Sequence, residues 1–191
     1  MAEKPTVGLA LSGGGACGLA HIGVLKVLER EGMPINLLAG TSMGGLVSAA
    51  YAVGMTAADL EKEALRMASV RQLLSLADPS LPRRGLFHGQ RVTAYLQSQL
   101  GDRTFDDLRI PLSLVAVDLN GRRQVILRQG RVVDAVRATI AIPGIFTPVE
   151  RGDQLLVDGG LLNNLPTDVV HSMGADMVIA VDVHMDGLPT P

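Results

Sequence analysis

From its N-terminus the chain alternates short apolar runs with segments of helical spacing. Residues 6–11 (TVGLAL) form an uninterrupted apolar run, which predicts a strand buried on both faces. Over residues 18–31 (GLAHIGVLKVLERE) the period lengthens. Ile22, Leu25 and Leu28 share one helical face, Lys26, Glu29 and Arg30 the other, and Gly32 is placed to cap the C-terminus. A second apolar run at 34–40 (PINLLAG) predicts another buried strand, and the small-residue stretch TSMGGLVSAAYAVG a second helix. Strand, helix, strand, helix in close succession is the rhythm of a parallel α/β sheet.

The middle of the chain reads as helical. TAADLEKEALRM opens with a capping-box pattern, Thr56-x-x-Asp59, and HGQRVTAYLQSQL resumes helix near residue 89. Between them LADPSLPRRGLFHG, rich in Pro, Gly and Arg, predicts a surface loop or lid. The apolar spacing of VRQLLSLA (70–77) fits a packed helix and needs no lipid contact. LSLVAVDL and RQVILRQ predict two strands joined around Asn120-Gly121, a hairpin signal. A helix from Arg131 to about Ile140 leads to AIPGIFTPV, then QLLVDGGLLNNLP, a short helix from Thr167 and a final buried strand, DMVIAVDV. With no repeat, no low-complexity segment and no second domain, residues 1–191 are expected to form one domain with its core over about 7–184.

Composition narrows the partners. Hydrophobic residues make up 47% of the chain but aromatics only 3%, so Leu, Val, Ile and Ala must build the core. A formal charge of −2 recruits neither nucleic acid nor an anionic membrane, and the pairs Arg83-Arg84 and Arg122-Arg123 read as solvated loop charges. A single cysteine, Cys17, excludes an internal disulfide and suits a reducing compartment. The apolar run after Lys4 is too short for a signal peptide, and no stretch reaches the roughly 18 apolar residues of a spanning helix. A cytoplasmic protein is the expectation.

The glycine loop LALSGGGACGLAHIGVL (9–25) admits three readings. Gly13, Gly15 and Gly18 match the dinucleotide fingerprint, but the second strand ends Ala39-Gly40-Thr41 without the acidic residue that holds a ribose. Gly13 and Gly18 have the spacing of a nucleoside-triphosphate loop, but Leu19-Ala20 stand where Lys and Ser or Thr are required. The third reading rests on GTSMG, Gly40 to Gly44, a G-x-S-x-G at a strand-to-helix junction, which is the setting of a nucleophile elbow. Adjacent parallel strands would bring the backbone N–H groups of Gly13, Gly14, Gly15 and Ala16 beside Ser42, as donors to the oxyanion formed when its hydroxyl attacks a carbonyl.

A serine needs a base. Ser42, Asp158 and either His171 or His184 would satisfy the chain order of a histidine triad, though neither histidine lies in a glycine-rich loop. Asp158 is the better candidate: it ends the run QLLVD and precedes Gly159-Gly160, at the sheet edge where α/β folds bind ligands. Burial would have to raise its proton affinity. Asp118 and Asp182 also lie late in strands, but no histidine or acidic partner has metal-ligand spacing.

Taken in order, GGGACG (13–18), GTSMG (40–44), AIPGIFTPV (141–149) and DGG (158–160) resemble the patatin-like phospholipases, a family of lipid acyl hydrolases, over roughly residues 7–184. The resemblance implies a three-layer α/β/α sandwich around a mostly parallel sheet. It also implies a Ser-Asp dyad without histidine, and neither metal nor organic cofactor. By position it makes Ser42 the nucleophile, Asp158 the base, Gly13, Gly14 and Gly15 the oxyanion loop, and Gly18, Gly40, Gly44, Gly159 and Gly160 motif glycines. The substrate would be a lipid or simple acyl ester, with transient contact to a membrane or lipid aggregate and no role for nucleic acid. Family loops usually carry Arg or Lys where this chain has Cys17, so neutral esters are expected to be favoured over phospholipids. Many relatives continue with further helices where this chain reads DGLPTP, which would leave apolar surface open to homo-oligomerisation.

Overall fold

The computed structural model describes residues 5–68 and 87–183. β1 (Val7–Leu11) runs through a 3-10 turn (Gly15–Leu19) into α1 (Ala20–Arg30). β2 (Leu37–Thr41) is followed by α2 (Ser42–Ala52), α3 (Ala57–Met67) and α4 (Gln90–Leu100). Then come β3 (Leu112–Asp118), β4 (Arg123–Leu127), α5 (Val132–Thr139), β5 (Val149–Arg151), β6 (Gln154–Asp158), α6 (Thr167–Ser172) and β7 (Met177–Val181). All seven strands join one sheet.

β1, β2 and β3 are buried on both faces, and their side chains sort by size. Leu9, Leu11, Leu38 and Leu114 pack into the main core with residues of α1 to α5. Ala10, Ala39 and Val115 alternate with them and meet Val169 and Val170 of α6 on the other face. Helices therefore flank the sheet on both sides, in the α/β arrangement expected. The local signals also hold: the Thr56–Asp59 capping box is closed in both directions. Gly32 takes φ +62°, and the Met33 N–H reaches back to the Leu28 carbonyl at 2.9 Å to finish α1.

Strand register explains the placement of the site. β1, β2, β3 and β7 are mutually parallel where they pair, whereas β4 and β6 both run antiparallel to β3. β4 pairs with β3 over Leu114 to Asp118 and so occupies one edge of it. β2 pairs over Leu112 to Val115 and β6 over Ala116 to Asp118, so both must lie along the other edge, end to end. Their C-termini face each other: Thr41 lies opposite Val115, and Asp158 opposite Ala116. This seam between two strands running in opposite directions brings residue 42 to residue 158.

Two expectations need correction, and one strand had no counterpart among them. The strand predicted from residue 34 starts at Leu37, because Pro34 offers no N–H and Asn36 spends its amide group bracing Val7, whose N–H it accepts at 2.8 Å. The final strand is not buried: β7 pairs only with β1 among the described residues, and Met177 and Ala180 are exposed. An apolar run reports affinity for a sheet, not how many neighbours the strand will have. β5 was not foreseen, since VERGDQ carries no apolar alternation; it folds back on β6 through Gly152 at φ +61°. The 70–77 stretch, most of the Pro/Arg loop and His184 lie outside the described residues. No described helix is long and apolar enough to cross a membrane.

Candidate active site

The nucleophile candidate sits in a strained turn. Ser42 follows β2 directly, opens α2 and takes φ +53°, a left-handed conformation that costs a non-glycine residue about 1 kcal/mol or more. The turn is this sharp because α2 starts against the end of β1. A Cβ on Gly44 would strike the carbonyl oxygens of Leu11 and Ser12, and one on Gly40 would lie 2.6 Å from the backbone of Gly44 and Gly45. Ser42 is 7% exposed, and its N–H donates to Thr139 Oγ1 at 2.9 Å. The positive end of the α2 dipole also falls here.

Asp158 meets it across the seam. The Ser42 hydroxyl donates to Asp158 Oδ2 at 2.6 Å, and the Gly160 N–H donates to Oδ1 at 2.8 Å. The backbone N–H of Asp158 is held by the Ala141 carbonyl at 3.0 Å. With the residue 6% exposed, burial pushes the carboxyl above the ordinary carboxylate range, and the two hydrogen bonds pull it part of the way back. The result is a better base than a solvated aspartate.

The glycine loop stands beside the elbow, as expected for neighbouring parallel strands, but with one change in the donor set. The Gly13 N–H is taken by the Asn164 carbonyl at 3.1 Å, so Gly13 shapes the loop and does not offer a hydrogen to an oxyanion. The N–H groups of Gly14, Gly15 and Ala16 precede the first bond of the 3-10 turn, from Cys17 N–H to the Gly14 carbonyl, and remain the donor candidates. Gly18 is the point where the loop touches the elbow: a Cβ there would fall 2.6 Å from the Met43 Cβ. Beneath the loop the His21 Nε2–H donates to the Ser12 carbonyl at 2.8 Å. Burial holds His21 below its ordinary value, so it is neutral.

Three residues of this site carried no signal in the sequence analysis. Thr139 ends a helix, Asn164 lies 151 positions from the loop it braces, and His21 reads only as a helix residue. Thr139 stands two residues before the quoted AIPGIFTPV, which was the one available pointer. None of the described histidines bonds to Ser42 or Asp158: His21 is committed to Ser12, while His88 and His171 are exposed. Asp118 turns inward to accept the N–H groups of Asn120 and Leu155, each at 3.1 Å. Cys17 is exposed on the loop.

At Met43, the residue after Ser42, opens a cavity of about 520 Å³. Gly15, Ala16 and Met43 line it at the loop and elbow, and Val47, Leu60 and Leu96 carry it between α2, α3 and α4. Its walls are almost entirely carbon. At its polar edge Glu63 accepts the Tyr95 hydroxyl and is paired with Arg66, so its charge is already satisfied.

The family profile of the patatin-like phospholipases matches residues 9–171. The chain belongs to the patatin-like phospholipase family. An uncharacterized NTE family protein of Mycobacterium tuberculosis is 40% identical over 189 residues, covering 97% of this chain and 31% of that protein. Patatin-like phospholipase domain-containing protein 6 of Mus musculus is 36% identical over 184 residues, covering 93% of this chain and 13% of that one. The chain thus spans under a third of the length of these two relatives. Among solved structures, VipD of Legionella pneumophila superposes with a TM-score of 0.57 at 15% identity, over 86% of this chain and 47% of its own. ExoU of Pseudomonas aeruginosa, in complex with SpcU, gives 0.57 at 20%, over 74% and 39%. These two likenesses show a shared fold. At family level the chemistry of a patatin-like phospholipase is lipid acyl hydrolysis.

Proposed function

We propose that the chain is a cytoplasmic serine acyl hydrolase, cleaving lipid or simple acyl esters through a Ser42–Asp158 dyad. The observation that carries this reading is the 2.6 Å hydrogen bond from Ser42 to a buried carboxylate beside an apolar cavity. Ser42 Oγ bonds to the ester carbonyl carbon while its proton passes to Asp158 Oδ2. The carbonyl electron pair moves onto oxygen, facing the N–H groups of Gly14, Gly15 and Ala16, where a single donor is worth about 3 to 4 kcal/mol. Collapse expels the alkoxide, which takes the proton from Asp158. Water then attacks the acyl-serine, giving one proton to Asp158; Ser42 Oγ leaves and recovers it. The acid and the alcohol are the products, and the apolar cavity supports an acyl chain as the group held during both halves.

The test is covalent labelling by a fluorophosphonate, read by intact mass and peptide mapping on the wild type and Asp158→Asn. The expected result is an adduct on Ser42 that is lost in the variant. Folded wild-type protein that takes no adduct would overturn the reading and return the glycine loop to the role of a binding cradle. A second expectation concerns the head group. Cys17 leaves the loop without the cation that most of the family carries there, so uncharged acyl esters should be cleaved faster than phosphatidylcholine. The reverse order in matched assays would contradict it.

A further inference from the structure

The seam between β2 and β6 contains a side chain that belongs to neither strand. We propose that Thr139 holds the nucleophile in register with its base, as a positioning residue that never touches substrate; this rests on the Ser42–Asp158 reading above. The argument begins with ladder bonds that the seam cannot supply. β2 stops at Thr41, opposite Val115, and β6 comes in from the other direction to stop at Asp158, opposite Ala116. Between these two rungs the Val115 carbonyl faces a gap, and the chain leaving β6 passes against it at Gly159, where a Cβ would be 2.7 Å from the Val115 carbonyl carbon. On the other side of the gap the Ser42 N–H opens a helix and has no partner within it. Both groups are buried, and both require a bond.

Thr139 satisfies both with one atom. Its Oγ1 donates to the Val115 carbonyl at 2.5 Å and accepts the Ser42 N–H at 2.9 Å, with the residue 0% exposed. Its methyl carbon would lie 3.0 Å from a Cβ on Gly45, so it also fills the space beside the first turn of α2. Two residues on, the Ala141 carbonyl accepts the Asp158 N–H at 3.0 Å. The end of α5 thus grips the backbone of both dyad residues, and Thr139 is the only side chain in that grip. It also commits the Ser42 N–H, which is therefore not an oxyanion donor.

Three variants separate the parts of this side chain. Thr139→Val keeps the shape and removes the hydroxyl, Thr139→Ala removes hydroxyl and methyl, and Thr139→Ser keeps the hydroxyl alone. Each is measured for ester hydrolysis against pH and for the rate of fluorophosphonate labelling at Ser42, with wild type and Asp158→Asn alongside. We expect kcat to fall about 100-fold in Thr139→Val, as for a small misplacement of a reacting group, with KM within about twofold. The Ser42 hydroxyl lowers the proton affinity of Asp158, and among the described residues no charged side chain is a resolved cause of its shift. A displaced serine should therefore move the acid limb of the valine profile to higher pH. Thr139→Ser should restore the wild-type limb and kcat to within about threefold.

A folded valine or alanine variant with wild-type kcat and pH profile overturns the proposal. So does a serine variant that falls as far as valine, which would make the methyl contact the whole effect. Where valine and alanine both fail to fold, the serine result still decides, since loss there contradicts a hydroxyl-based role. Failure of the dyad reading itself looks different: the wild type would take no label, or Asp158→Asn would label as fast as the wild type.

Discussion

The two halves of the proposed dyad are delivered by opposite kinds of strand. Ser42 comes from β2, deep in the parallel part of the sheet, and is thrown into a left-handed turn by the helix packed against β1. Asp158 comes from β6, antiparallel to β3, in a relaxed extended stretch with a short hairpin partner on its outer side. The nucleophile arm is held by covalent succession, strand to turn to helix, while the base arm is held by the register of β6 and by the Ala141 carbonyl on its N–H. A one-residue slip of β6 would turn Asp158 to the other face and break the site without touching the serine. The difference teaches that what must be fixed is the distance between the arms, and the end of α5 spans it.

The largest effect should come from removing either arm's chemistry. Ser42→Ala and Asp158→Asn are each expected to lower kcat by about 10⁴ to 10⁶-fold, as when one member of a catalytic unit is lost. They should part in stability. The Asp158 carboxyl has a raised folded value, so its favourable contribution is present at low pH and lost as pH rises through that value. At neutral pH the charged form is a burden, and Asp158→Asn should melt at or above the wild-type temperature.

Next come the steric hinges. Gly44→Ala strikes the backbone of β1 from the nucleophile arm, and Gly159→Ala strikes Val115 from the base arm. Each should cost about 3 kcal/mol in denaturant unfolding, because backbone on the far side cannot yield. Equal losses would show the arms to be equally rigid; a clearly smaller loss for Gly159→Ala would mean that register yields more easily than the elbow does.

Smaller still is the pH response of the loop floor. His21 has a depressed folded value, so its contribution is present above the ordinary value of 6.5 and lost as pH falls through the folded one. Wild-type stability should decline from about pH 6.5 downwards, and His21→Gln should flatten that slope. The smallest effect is expected from Asn164→Ala. It removes only the 3.4 Å side-chain contact to the Gly13 carbonyl and leaves the backbone bond intact, so stability should change by under about 1 kcal/mol.

Much of this was legible in the sequence because it is local. The α/β rhythm, the Thr56–Asp59 box, the elbow glycines and the strand-end aspartate each depend on residues a few positions apart. What stayed hidden depends on distant pairs. Asn164 acts through two bonds to Gly13, and Thr139 through one to Ser42 and one to Val115, and their residue types are ordinary for a loop and a helix end. The role of Gly13 changed for the same reason, since its N–H is consumed by a carbonyl from the far end of the chain. β7 is more exposed than its apolar run implies, because hydrophobicity along a strand carries no count of its neighbours.

The left-handed turn at Ser42 has an evolutionary consequence. Glycine adopts φ +53° without strain, so Ser42→Gly relaxes the backbone at the cost of the hydroxyl. Under the proposed reaction, the change that eases folding at this one codon is the change that would end hydrolysis. Neutral drift toward an unstrained turn therefore leads to an inert scaffold, and only selection for the reaction can keep serine in place.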